Sequence, residues 1–125
     1  MARPRCKTVA PAWPDIFFER ELWQIGKEHI AGLDEAGRGA WAGPVTAAAV
    51  ILPFNNPDLC KLLSGVRDSK QMSAGQREKW AITIRQIAFA CCSGWATCEE
   101  IDEIGILPAT KLAMQRAVEG LQLTV

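Results

Sequence analysis

The chain has 125 residues, 49% of them hydrophobic and 22% charged, which supplies one folded domain with a modest core and excludes a disordered segment. Lys and Arg number 14 and Asp and Glu number 14, so no overall field draws the protein to an acidic partner. Any grip on nucleic acid must come from a local basic patch.

The five cysteines, Cys6, Cys60, Cys91, Cys92 and Cys98, are odd in number and include no C-x-x-C pair. His29 is the only histidine, which argues against zinc ligation and for a reduced, cytoplasmic setting. Pro11 and Pro14 interrupt the start where a secretory signal needs an unbroken apolar run. The longest apolar stretch, Val45 to Pro53, is too short to span a bilayer, so no membrane partner is expected.

In chain order, residues 1–12 mix prolines with three basic side chains and are expected to form a flexible tail. Pro14 suits the first turn of a helix running to about Gln24, with Phe18, Leu22 and Ile25 as its apolar stripe and Gly26 as its stop. His29 to Glu35 reads as a first strand. Val45 to Leu52 reads as a second, covered on both faces because the run is apolar throughout. The glycines between them predict an antiparallel pair. Residues 53–72 read as loop with one helical turn at Leu59 to Leu63.

Ser73 and Gln76 form a capping-box pattern that opens a helix from Ala74 to Ala88, with Trp80, Ile84, Ile87 and Ala88 on one face. Phe89 to Ala96 is a third strand, in which Cys91 and Cys92 read as core. Thr97 and Glu100 repeat the capping pattern before a brief helix with Ile101 and Ile104 on one side. A last helix from Pro108 to Glu119 carries Met114, Val118 and Leu121 as a stripe. Trp13, Trp23, Trp80 and Trp95 read as packing residues, while Trp41 beside the glycine loop is open to either role. Three strands with helices around them give an α/β or α+β layer fold.

The chemistry concentrates in Ala31-Gly-Leu-Asp-Glu-Ala-Gly-Arg-Gly39. Asp34 and Glu35 are adjacent carboxylates, the oxygen donors that Mg²⁺ and Mn²⁺ prefer. Paired ions can activate a water and stabilise the leaving oxygen of a phosphodiester. Consecutive strand residues point to opposite faces, so both acids serve one site only if the strand ends or bulges there. A bare Asp-Glu pair is more often an acidic strand end facing water. Gly37 and Gly39 let backbone approach a ligand, and Arg38 can fork onto a phosphate; alone, the tripeptide is an ordinary turn. Ser69 and Lys70, in Arg67-Asp-Ser-Lys70, can hold a backbone phosphate, with Arg77 and Lys79 near enough to extend the patch; the same loop also reads as a helix cap. The acids Glu99, Glu100, Asp102 and Glu103 suit a helix dipole better than a cation.

Taken together, these segments closely resemble the amino-terminal portion of the bacterial ribonuclease HII family (type 2 ribonuclease H). The likeness runs through the glycine-loop motif, Ala42-Gly-Pro-Val45, Asp68-Ser-Lys70, Glu100-Ile-Asp-Glu-Ile104, Ile106-Leu107, Ala109-Thr110 and Ala113-Met-Gln-Arg-Ala-Val118, in the family's order.

The resemblance implies an α/β, RNase H-like mixed sheet flanked by helices and truncated before the later parallel strands. Residues 13–125 would then be an incomplete catalytic domain. It implies cleavage of the RNA strand in RNA–DNA hybrids, and of single ribonucleotides in duplex DNA, with Mg²⁺ or Mn²⁺ as cofactor. A monomer is expected when the protein is complete. Asp34 and Glu35 match the family's first metal-binding acids and would be catalytic. Gly37, Arg38 and Gly39 match its loop for the ribose 2′-hydroxyl, the group that separates RNA from DNA. Ser69 and Lys70 match a segment beside the substrate backbone.

The sequence departs from the family pattern at Ala40-Trp41, where Pro-Leu is common, and at Gly105, where Asn is usual. The family's third and fourth metal-binding carboxylates fall beyond Val125, so the 125-residue chain itself is expected to be nearly inactive. Two other expectations remain: a non-catalytic nucleic-acid-binding module, or a remnant without function.

Overall fold

The computed structural model describes residues 14–38, 43–54 and 56–125. The expected tail at 1–12, together with Trp13, Gly39, Ala40 and Trp41, lies outside the described residues. The elements run α1 Phe17–Gln24, β1 Ala31–Ala36, β2 Val45–Ile51, α2 Leu59–Leu62, a 3₁₀ turn Ser69–Gln71, α3 Ala74–Ile87, β3 Ala90–Ala96, α4 Cys98–Ile104 and α5 Ile106–Gly120. The three strands form an antiparallel sheet in the order β1-β2-β3. This is a mixed α/β architecture in which helices flank a short sheet.

Alternation along β2 sets the layers. Val45, Ala47, Ala49 and Ile51 are buried, while Ala48 between them is exposed and Thr46 and Val50 are half-buried. The strand is therefore covered fully on one face only, against the expectation of two. An uninterrupted Ala/Val run hides this, because alanine tolerates either environment.

The covering layer is α5, which packs on all three strands. Its innermost residues are Ala109, Thr110, Ala113 and Ala117, continued by Leu121, with Met114 and Val118 half-buried beside them. The stripe is thus smaller in side-chain size than Met114, Val118 and Leu121 suggest. Small residues bring helix and sheet backbones together, and Gly94 in β3 completes the fit. A Cβ at Gly94 would stand 2.5 Å from both the Ala113 carbonyl oxygen and the Ala117 nitrogen. Leu59, Ile51 and Val45 are the largest fully buried side chains; burying one such residue contributes about 1.5–3 kcal/mol.

Both capping boxes form. Ser73 Oγ accepts from the Gln76 N–H at 3.2 Å and Gln76 Oε1 accepts from the Ser73 N–H at 2.9 Å. Thr97 and Glu100 repeat the arrangement at the start of α4. Trp80, Ile84, Ile87 and Ala88 are half-buried, as their spacing predicts.

Four readings need correction. Phe18, Leu22 and Ile25, the expected stripe of α1, are all exposed, and the less exposed apolar residues are Ile16 and Trp23 instead. Both sets repeat at helical spacing, so periodicity alone does not choose between them. Trp95 is 57% exposed, because β3 alternation turns it to the uncovered face of the sheet. Alternation likewise exposes Cys91 and leaves only Cys92 against α5. In α4, Ile101 packs on the core while Ile104 is exposed.

Candidate active site

β1 carries Asp34 and Glu35 in regular register, Asp34 opposite Ala48 and Glu35 opposite Ala47, and pairing continues through Ala36 opposite Thr46. No bulge brings the two acids to one face. Asp34 lies on the uncovered side of the sheet, and Glu35 lies on the α5 side, where it is half-buried. Because β1 is an outer strand of the described sheet, the two faces meet at an open edge beside these residues. The Asp34 carboxylate leans along its own strand and accepts the Glu35 backbone N–H at 2.9 Å.

The chain then turns at Gly37, whose φ of +91° is a left-handed conformation that favours glycine. Space demands glycine here as well: a Cβ would stand 2.9 Å from the Pro44 carbonyl oxygen, where the chain returns into β2. This tight return places Arg38 beside β1, with its Nη1 3.5 Å from Glu35 Oε1. The pair is part-exposed, at 44% for Arg38 and 25% for Glu35. An exposed pair at this distance is weak and leaves the guanidinium able to exchange partners. Gly39, the last member of the predicted loop, is outside the described residues.

Ser69 and Lys70 sit in the 3₁₀ turn. Asp68 Oδ1 caps it by accepting the Lys70 N–H at 2.9 Å. Arg77 of α3 braces the same turn, donating from Nη1 to the carbonyl oxygens of Ser69 at 3.2 Å and Met72 at 2.8 Å. Arg77 thus braces the turn that carries Lys70 through its Nη1, a role that sequence spacing does not distinguish from phosphate contact. No hydrogen bond or ion pair joins this turn to Asp34, Glu35 or Arg38 among the described residues. The structure thus brings Glu35, Gly37 and Arg38 together, keeps Asp34 next in the strand but on the opposite face, and leaves Ser69 and Lys70 on a separate, braced turn.

Within the acidic cluster at the start of α4, Glu100 has a structural role. Arg116 of α5 holds Glu100 by two 2.7 Å hydrogen bonds and donates a third, at 2.9 Å, to the Trp95 carbonyl. The guanidinium, with the Thr97 N–H second, holds the Glu100 carboxyl at about 2.

Comparison with known proteins decides the family. The ribonuclease HII family profile matches residues 31–125. The chain belongs to the ribonuclease HII family. A ribonuclease HII of Synechococcus sp. (strain JA-3-3Ab) is 53% identical over 106 residues, covering 84% of this chain and 47% of that protein. One from Chloroflexus aurantiacus is 47% identical over 115 residues, covering 90% and 53%. One from Caulobacter vibrioides is 46% identical over 114 residues, covering 91% and 50%. The chain therefore spans about half the length of the curated relatives it matches.

Ribonuclease HII enzymes generally use divalent metal, and the donor chemistry present fits. Hard cations such as Mg²⁺ are held by one or two carboxylates, with waters and substrate phosphates completing the shell. Asp34 and Glu35 are two such carboxylates, adjacent on β1 but turned to opposite faces by the regular pairing, so they can share an ion only around the open edge of the strand. Among the described residues no cluster of three or more His, Cys, Asp or Glu able to hold a metal ion occurs. No helix of the described residues is long and apolar enough to cross a membrane.

Proposed function

We propose that this chain contributes the opening half of a ribonuclease HII active site, which cuts the RNA strand of RNA–DNA hybrids and single ribonucleotides embedded in duplex DNA. The single observation that carries the reading is the contact of Arg38 with Glu35 across the Gly37 turn. It sets a phosphate-seeking cation beside Glu35, the strand neighbour of Asp34. Family membership supports the substrate class.

Asp34 and Glu35 are the residues that would hold Mg²⁺ or Mn²⁺. Divalent ions bound there supply an activated water and charge stabilisation at the leaving oxygen. Arg38 exchanges Glu35 for a backbone phosphate of the substrate, a partner whose oxygens match its forked donors. Gly37 keeps its turn free of a side chain, so that backbone N–H groups approach the ribose hydroxyl, and the family resemblance assigns Gly39 to the same task. Lys70, fixed by Asp68 and Arg77, positions the strand through a further phosphate, with Ser69 donating a hydrogen bond.

The test uses a duplex with one ribonucleotide, Mn²⁺, and a version of the protein extended to the length of its relatives. Cleavage on the 5′ side of the ribonucleotide is expected, and both Asp34→Asn and Glu35→Gln lower kcat by orders of magnitude while leaving the far-ultraviolet circular dichroism unchanged. The 125-residue chain cuts far more slowly, because two carboxylates give a weak grip on two cations. Undiminished hydrolysis by the double amide variant overturns the proposal. Metal-independent duplex binding without cleavage indicates a binding module instead.

A further inference from the structure

A second concave site lies at the opposite end of β1 from Arg38, between α1 and the connection from β2 to α2. It is a cleft of about 540 Å³, within the roughly 300–1,000 Å³ typical of small-molecule sites. Its lining is balanced between polar and apolar groups. Ile16, Arg20 and Trp23 repeat along one face of α1 and form one wall. Phe54, Asn56 and Pro57 form the other.

Three hydrogen-bond donors here lack an adequate acceptor. Trp23 Nε1 is buried and has no hydrogen-bond partner among the described residues, an unfavourable state for a polar group. The Arg20 guanidinium has no carboxylate within ion-pair distance among the described residues; its one contact is a 3.5 Å approach of Nη2 to Cys60 Sγ, a weak acceptor. The Asn56 side-chain oxygen is engaged by the Asp58 N–H at 3.0 Å, which leaves the amide N–H groups as the donors still open among the described residues. Arg20 and Asn56, with the Trp23 ring, thus line one cleft whose open donors call for a ligand rich in acceptors and negative in charge. The Trp23, Phe54 and Pro57 walls call for a flat apolar body on the same molecule.

We propose that this cleft binds a nucleoside monophosphate, its phosphate on Arg20 and Asn56 and its base against the Trp23 and Phe54 rings. The site is separate from the carboxylate pair and does not rest on the nuclease reading. A phosphate accepts from the forked guanidinium in a way that a neutral ligand does not. A base ring occupies aromatic walls that inorganic phosphate leaves empty.

The experiment titrates the ¹⁵N-labelled chain with adenosine 5′-monophosphate, adenosine and inorganic phosphate in separate arms, following the tryptophan indole N–H resonances. The Trp23 signal is assigned by its loss in Trp23→Phe. Saturable displacement of that signal by the monophosphate is expected, with adenosine and phosphate each binding on the order of tenfold more weakly. Arg20→Ala weakens the monophosphate by a similar factor, and Arg20→Lys recovers part of the loss. Arg20 is exposed, so its replacement leaves the fold intact, as unchanged circular dichroism verifies. A Trp23 signal that does not move, equal affinity for adenosine and its monophosphate, or full binding by Arg20→Ala each overturns the proposal.

Discussion

Gly37 shows how a single residue without a side chain determines where charged ones stand. Its φ of +91° and the 2.9 Å approach of a would-be Cβ to the Pro44 carbonyl act together. Gly37→Ala is therefore expected to cost about 1–3 kcal/mol, read as a lower urea midpoint. It also shifts Arg38 away from Glu35. Gly32 is the control: it has no positive φ, and its Cβ would meet only the Val50 carbonyl at an ordinary 3.9 Å. Gly32→Ala should leave the midpoint nearly unchanged. Equal losses at the two positions would show that the turn is not under this constraint. The turn at Gly37 was legible in sequence because glycines between two apolar runs mark a chain reversal. The role of Arg77 was not legible, since an arginine that braces a turn and one that binds phosphate look alike until their acceptors are known.

Local signals mark elements well and their faces poorly. The capping boxes at Ser73 and Thr97 mark where α3 and α4 begin, because each rests on atoms three residues apart. The face of α1 and the single covered side of β2 depend on what packs against them, which no window of sequence contains. Gly94 belongs to this scale. A glycine inside a strand signals close backbone approach, and here the approaching element is α5. Gly94→Ala must lift the helix from the sheet, because the atoms it meets at 2.5 Å are main chain. A loss of roughly 1–3 kcal/mol is expected, seen as a lower melting temperature with little change in helix content. Wild-type stability in this variant would mean that α5 does not rest on β3 as described.

The Glu100–Arg116 pair ties the start of α4 to α5 and, through the Trp95 carbonyl, to β3. Glu100 is held at about 2, below the 4.5 of a free glutamate. The unfolded chain therefore takes up this proton at a higher pH than the folded one. The stabilisation is fully present above about 4.5 and is lost as pH falls toward about 2. In Glu100→Gln that portion of the pH dependence should vanish, leaving a flatter stability profile between those limits. Urea midpoints measured across the range check it; identical slopes for the two proteins would contradict the assignment.

Across the whole molecule, charge is balanced at 14 basic and 14 acidic side chains. Long-range attraction to a nucleic acid is thus small, and affinity must come from the few cations that touch phosphate. Arg38 and Lys70 are the two that the proposed site uses. Each phosphate neutralised contributes about −0.9 to the slope of log K against log salt on duplex DNA. A chain extended to the relatives' length, with Asp34→Asn to prevent cleavage, should show a slope reduced in magnitude by about 1 when Lys70 is replaced by Ala. Arg77→Ala has a different signature. Because Arg77 braces the turn by donating from Nη1 to the Ser69 and Met72 carbonyls, its loss should weaken binding by loosening the Lys70 turn while leaving the slope close to that of the parent. Fluorescence anisotropy with a ribonucleotide-containing duplex over a salt series separates the two variants. A full unit lost from the slope in Arg77→Ala would make that residue a phosphate contact and would require the braced turn to rearrange on the substrate.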